Sequence, residues 1–384
     1  SQNILGMTGI SCYVLADSYF ISIAKGADGL TALNLVMPLY SIIFSIGEMI
    51  GVGSAIRYAI SKIKKDADAD GYFWNALIWC ILSSMLFVFA GIFFSADIMR
   101  VLGADEHIVA VGNNYTKIFM CFAPMFMCNY VTNAFVRNDG APGIAMSATL
   151  FSSLFNIVFD YILMFPMNLG MEGAALATAL SPIIGMGICS IHFFSKKSSV
   201  RLVVCKPSVR KLVAGCQLGI SAFVGEMSSA VITLVFNFVI LKLAGNVGVA
   251  AYGVVANIAI VTTAVFNGVA QGSQPLISSC FGRGDKDGCT QLKRMGYTTA
   301  FVLAAVMYSI LFIFAGQFVA VFNSEGSEML RLYATEGVKL YFIGIFFAGI
   351  NIVGGGAFSA TEDAFKAAVV SVARGFVLIL GAVF

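Results

Sequence analysis

Apolar stretches long enough to cross a bilayer recur along the whole chain and leave it few ways to fold. They run at about 4–23, 31–57, 73–94, 112–136, 142–165, 172–194, 211–241, 247–277, 297–321, 332–358 and 367–384. A transmembrane helix needs about 20 predominantly apolar residues, so these stretches predict eleven spans. In hydrocarbon every backbone N–H and C=O must be paired within the chain, and a lone segment of this length does so as a helix. The longer stretches predict tilt, or ends that project past the lipid. Composition agrees: 59% of the 384 residues are hydrophobic and 11% charged, whereas soluble domains carry about 25% charged residues. In water such a chain would have to bury nearly all of itself, which surface-to-volume scaling forbids. The fold class is an all-α integral membrane protein.

Basic residues orient the chain. With a cytoplasmic N-terminus, the inner-side connections hold sixteen Lys and Arg, among them Arg57, Lys64, Lys65, Arg137, Lys196, Lys197, Arg283 and Lys366. The outer side holds six: Lys25, Arg100, Lys117, Lys242, Arg331 and Lys339. This positive-inside bias predicts a multi-pass protein of the cell (inner) membrane with its N-terminus in the cytoplasm. No basic segment or cleavage site precedes the first stretch, so no signal peptide is expected. The first stretch starts almost at Ser1 and the last stops at Phe384, which suggests a twelve-span plan whose last span is incomplete or missing.

The two halves repeat each other. Ala24-Lys25-Gly26-Ala27-Asp28-Gly29 has its counterpart at Leu243-Ala244-Gly245-Asn246-Val247-Gly248, an offset of 219 residues. At that offset Gly53-Ser54 matches Gly272-Ser273, and Lys64-Lys65-Asp66 falls opposite Arg283-Gly284-Asp285. The basic stretch 195–211 then reads as a cytoplasmic linker between an N-terminal six-helix bundle (1–194) and a C-terminal bundle (212–384). Two such pseudo-symmetric six-helix bundles, inserted in the same sense, place a substrate site between them.

Several function classes drop out. A net charge of +3 is too small for a nucleic-acid partner, and no GxxxxGK[ST] supports ATP-driven transport. The nine Cys form no CxxC pair and the two His stand far apart, so a zinc site is not expected and the thiols read as small buried hydrophobes. Neither HExxH nor GxSxG is present, so an enzyme is not expected, and no cofactor is implied beyond a coupling ion.

Ionisable groups inside spans cost about 3 kcal/mol or more at a helix centre and call for an explanation. Asn156 and Asp160 stand four residues apart, so one face of the fifth span presents both. Asp17 lies in the first span, Thr178 in the sixth, and Asp139 at the cytoplasmic end of the fourth. Such oxygen donors suit Na⁺ at Asp17, Asn156, Asp160 and Thr178, or a proton shared among the carboxylates. Asn156 and Thr178 also fit a plain interhelical hydrogen bond. Glu226 in the seventh span and Glu48 in the second are candidates for a second acidic site, while Glu362 and Asp363 read as solvated loop charges. Thirty-four Phe and seventeen Met suit a pocket for organic cations, and they suit lipid equally well.

Together, Gly51-Val52-Gly53-Ser54, Arg137-Asn138-Asp139-Gly140, Asn156-x-x-x-Asp160, Gly173 to Thr178 and Gln271-Gly272-Ser273-Gln274-Pro275 resemble the multidrug and toxic compound extrusion (MATE) transporters, over essentially the whole chain. The resemblance implies twelve helices in two bundles around a cleft open to one side at a time. It also implies export of cationic and amphipathic drugs by antiport against Na⁺ or H⁺, with Asp17, Asp139, Asn156, Asp160 and Thr178 as the cation or proton site. A single chain in the bilayer, acting as a monomer, is expected. The rival within transport is a flippase for lipid-linked precursors, which shares the helical plan but needs a strongly basic cavity.

Overall fold

The structure is a computed structural model that describes residues 2–66, 68–322, 328–377 and 381. The described residues are helical wherever an apolar stretch was found and contain no strand. In chain order the helices are α1 (Gln2–Ile63), α2 (Gly71–Val101), α3 (Glu106–Cys121), α4 (Ala123–Asn138), α5 (Pro142–Met164) and α6 (Met171–Phe193). Then come α7 (Val209–Gly282), α8 (Lys286–Ile313), α9 (Ala315–Phe322), α10 (Glu328–Tyr341), α11 (Ile345–Ala360) and α12 (Ala364–Val372).

Two of these are each a pair of helices joined at a kink. α1 breaks at Gly26 (φ 57°, ψ −142°) and α7 at Gly245 (φ 61°, ψ −159°). Only glycine adopts such angles without a Cβ clash. The breaks stand 219 residues apart (245 − 26), the offset of the sequence repeat. Their surroundings repeat too. A Cβ on Gly29 would lie 2.7 Å from Lys25 Cβ and 3.0 Å from Ile21 Cγ2, and one on Gly248 2.5 Å from Ala244 Cβ and 2.9 Å from Ile240 Cγ2. The same tight turn is thus built twice.

Eight helical segments among the described residues are long and apolar enough to cross a membrane. α3 and α4, bent by 46° to one another, make a ninth span in two pieces. Pro124, at the start of α4, cannot donate to the hydrogen-bond ladder across that joint. The stretch at 4–23 forms the first section of α1, and that at 367–384 lies partly outside the described residues. Large apolar side chains such as Leu86, Phe93, Ile191 and Phe347 stand exposed on the outer faces, as lipid contact requires.

α6 and α7 are joined by a largely extended segment laid against the first half. α7 begins at Val209, three residues before the expected boundary, because the Ser208 side chain caps it by accepting from Lys211 N. Asn75 Oδ1 accepts from Ser208 N at 2.6 Å and holds the segment to α2. On this linker side the halves meet backbone to backbone. A Cβ on Gly53 would collide with Gly215 O and lie 2.7 Å from Gly219 N, and one on Gly219 would collide with Met49 O. Small residues let helices approach this closely where apolar burial gives no drive between them.

Two readings of loop charges are corrected. Arg137 is not a loop residue but lies inside α4, 8% exposed. Glu362 is not simply solvated: it pairs with Arg57 and, at 3.3 Å, with Lys64, tying α1 to the chain after α11. Asp363 does face solvent, where it caps α12 by accepting from Lys366 N.

Candidate cation site

α5 sets Asn156 and Asp160 one turn apart on its buried face, each 0% exposed. α6 brings Thr178 against them, 3% exposed. The first section of α1 runs along α5, with Gly9 packed on Leu150 and Phe20 beside Tyr161 and Phe165. That register puts Asp17, 7% exposed, level with Asp160 and near enough for each carboxylate to feel the other's charge. Three helices thus deliver four of the five first-half residues singled out from the sequence to one buried place.

The hydrogen bonds join these groups but leave two oxygens over. With its nitrogen toward Asp160, the Asn156 amide donates to Asp160 Oδ2 at 3.1 Å and accepts from Thr178 Oγ1 at 3.2 Å and Thr178 N at 3.3 Å. The opposite amide orientation would face nitrogen to donors and oxygen to acceptors, so the bonding pattern selects the first. Asp17 Oδ1 and Asp160 Oδ1 remain buried with no hydrogen-bond partner among the described residues. Two neighbouring carboxylates with free lone pairs, beside an amide and a hydroxyl, form a donor set for one hard cation or for protons. Bare, they would repel each other in a medium that screens poorly.

A tyrosine pair beside this site was not singled out from the sequence. Tyr115 on α3 is fully buried, shares a hydroxyl–hydroxyl hydrogen bond with Tyr40 on α1, and sits within reach of the charges of Asp17 and Asp160. Tyr40 stacks on Phe119 with ring centroids 3.7 Å apart. The available signal was a phenol inside an apolar stretch, since a buried Tyr hydroxyl needs a partner.

Asp139 is not brought to the site. It caps α4, three residues before α5 begins, while Asp160 lies eighteen residues into α5, about 27 Å farther along its axis. Asp139 instead takes His192 Nε2 at 2.8 Å, Ser199 N at 2.9 Å, Ser198 Oγ at 3.2 Å and also Ser199 Oγ. It anchors the linker to the ends of α4 and α6. Glu48 and Glu226 do come within reach of each other's charge, each faced by an arginine, Arg137 and Arg374 respectively. No group of three or more His, Cys, Asp or Glu among the described residues is arranged to hold a metal ion. A cation at Asp17 and Asp160 would need further oxygens, and the Asn156 amide, whose nitrogen faces Asp160 and whose oxygen faces Thr178, would have to turn to offer its own.

The MatE family model matches residues 4–162 and 222–383. The chain belongs to the MatE family. The multidrug export protein MepA of Staphylococcus saprophyticus is 26% identical over 374 residues, covering 96% of this MatE chain and 81% of that protein. MepA of Staphylococcus aureus is 27% identical over 379 residues with the same coverage. Among solved structures, "Outward-facing conformation of a multidrug resistance MATE family transporter of the MOP superfamily" superposes with a TM-score of 0.92 at 21% identity, over 99% of this chain and 85% of that one. A MOP superfamily transporter from Pyrococcus furiosus, described by the reverse polarity of its binding pocket, also gives 0.92 at 21% identity, over 100% and 85%. The all-helical fold is shared with both solved structures, and in this MatE member the Asn156, Asp160 and Thr178 side chains are in contact.

Proposed function

We propose that this MatE chain is a secondary active exporter of cationic and amphipathic drugs, working as an antiporter against Na⁺ or H⁺. Its working parts are the two bundles, residues 1–194 and 212–384, with the N-terminus in the cytoplasm. The observation that carries this reading is the pair of buried carboxylates, Asp17 and Asp160, each with one oxygen left without a hydrogen-bond partner among the described residues. A cation or proton entering there offsets their repulsion and draws α1 toward α5. A drug bound between the halves is released outward as α1 moves, and the loaded protein then returns to face inward. Exchange follows because the ion binds one facing state better than the other.

The names of the staphylococcal relatives, multidrug export proteins, support a drug substrate, and the shared fold supports a transport mechanism over catalysis. A lipid-precursor flippase is less well supported. The buried Arg137 and the half-buried Arg374 are faced by Glu48 and Glu226, so these two arginines of the described residues are not free to hold a phosphate headgroup. The test is drug efflux from proteoliposomes under an imposed Na⁺ gradient and, separately, an imposed pH gradient. One of the two drives efflux if the reading holds; efflux that responds to neither overturns it.

A further inference from the structure

Gln271 opens the QGxQP stretch and takes no part in the cation site. It lies on α7, in the second half, yet its side chain reaches two charged groups of the first. Its Oε1 accepts from the buried Arg137 guanidinium of α4, and its Nε2 donates to Glu48 Oε1 of α1 at 3.3 Å. Arg137 and Glu48 belong to the same half and already feel each other's charge, so they need no help from α7 to pair. The amide has come between them. Beyond Glu48 stand Glu226 of α7 and, facing it, Arg374 after α12. The cluster lies a few residues from the glycine contact of Met49 and Gly53 with Gly219 and Gly215, so it reports on whether the linker side is closed.

We propose that Gln271 is a positioning residue for alternating access, and that Arg137 and Glu48 form a two-way switch. With the linker side closed, the second half's amide satisfies both charges. When the halves part there, Gln271 leaves and the guanidinium and carboxylate close on each other. Neither charge is then stranded in either state, which matters because one partner of a buried pair left alone is strongly destabilising. Exchanging the amide for a carboxylate keeps the two states of Arg137 close in free energy, unlike the more exposed Arg57–Glu362 pair, which joins the halves directly and is simply broken when they part. This rests on the transport reading above.

The switch makes two variants move in opposite directions. Gln271→Leu removes the closed-state partner and leaves the Arg137–Glu48 pair intact, so the parted state gains. Glu48→Gln removes the partner that Arg137 needs once the halves part, so the closed state gains. Spin labels at Lys65→Cys and Arg283→Cys, in a background with the native cysteines replaced, read the separation of the linker-side ends in reconstituted protein. Gln271→Leu is expected to raise the long-distance fraction about fivefold, the worth of one net hydrogen bond, and Glu48→Gln to lower it below the parent's. If either variant does not fold, Gln271→Met or Glu48→Ala replaces it. Shifts in the same direction, or no shift in folded protein, overturn the proposal. No ion gradient or drug is needed, so a failure of ion-driven efflux with opposite shifts intact counts against the transport reading alone.

Discussion

Gly53→Ala tests the packing that closes the linker side. A Cβ there would collide with Gly215 O and stand 2.7 Å from Gly219 N and 2.8 Å from Gly215 C, where ordinary contact begins at 3.4 Å. The obstacles are backbone atoms, which cannot rotate away, so α1 and α7 must separate by at least 0.7 Å (3.4 − 2.7). Overpacking of this kind costs about 1–3 kcal/mol, and the cost falls only on the state in which these helices touch. At about 1.4 kcal/mol per tenfold, the parted state gains roughly 5- to 150-fold relative to the closed one. The assay is the label distance between the linker-side ends, with the melting temperature in detergent as a second reading. Gly187→Ala is the control: nothing lies within 4 Å of its Cβ, and alanine in a helix interior is favoured over glycine by about 0.5–1 kcal/mol. If Gly53→Ala behaves like Gly187→Ala, the backbone contact between the halves is refuted.

Tyr115→Phe removes a hydroxyl from the pair beside Asp17 and Asp160. It is expected to cost about 1 kcal/mol of stability and to weaken ion-coupled efflux severalfold, read as a higher ion concentration at half-maximal rate. Asp139→Ala removes the acceptor shared by His192, Ser198 and Ser199; a cost of about 1–3 kcal/mol and faster tryptic cleavage at Lys196–Lys197 are expected, while ion binding at Asp17 and Asp160 persists in the folded fraction. The hydrogen bond and charge of Lys366 hold the Asp363 carboxyl below its ordinary value of 3.8. Its cap on α12 therefore contributes above about pH 3.8 and is lost as the pH falls through the lowered value. Carbon-detected NMR titration is expected to show a midpoint under 3.8 that rises toward it in Lys366→Met.

Spans and repeat were legible in the sequence because hydropathy is summed over some twenty residues, and because a turn that only glycine can make leaves a fixed mark. Gly26 and Gly245 carry the same backbone conformation at the predicted offset. Asn156 and Asp160 were legible as neighbours because four residues is one helical turn, and Thr178 and Asp17 were expected beside them through the family resemblance. What depended on the packing of distant helices was not legible. Arg137 sits near a helix end, where a loop is the natural reading, yet Gln271, 134 residues away, satisfies it inside the protein. Glu362 finds Arg57 across 305 residues. Asp139 was grouped with the cation site through the family resemblance, and it is the axial length of α5 that separates it from Asp160. Tyr115 was hidden among many aromatic residues facing either lipid or core.

The central claim is that Asp17 and Asp160 couple ion entry to export, and Asp160→Asn tests it most directly. Asparagine keeps the size of the side chain and a hydrogen-bonding partner for Asn156 but removes the charge that an ion would neutralise. Drug efflux from proteoliposomes driven by the gradient that works in the parent is predicted to fall to the leak rate in this variant, while drug binding in detergent is retained. Undiminished gradient-driven efflux in correctly folded Asp160→Asn would contradict the account.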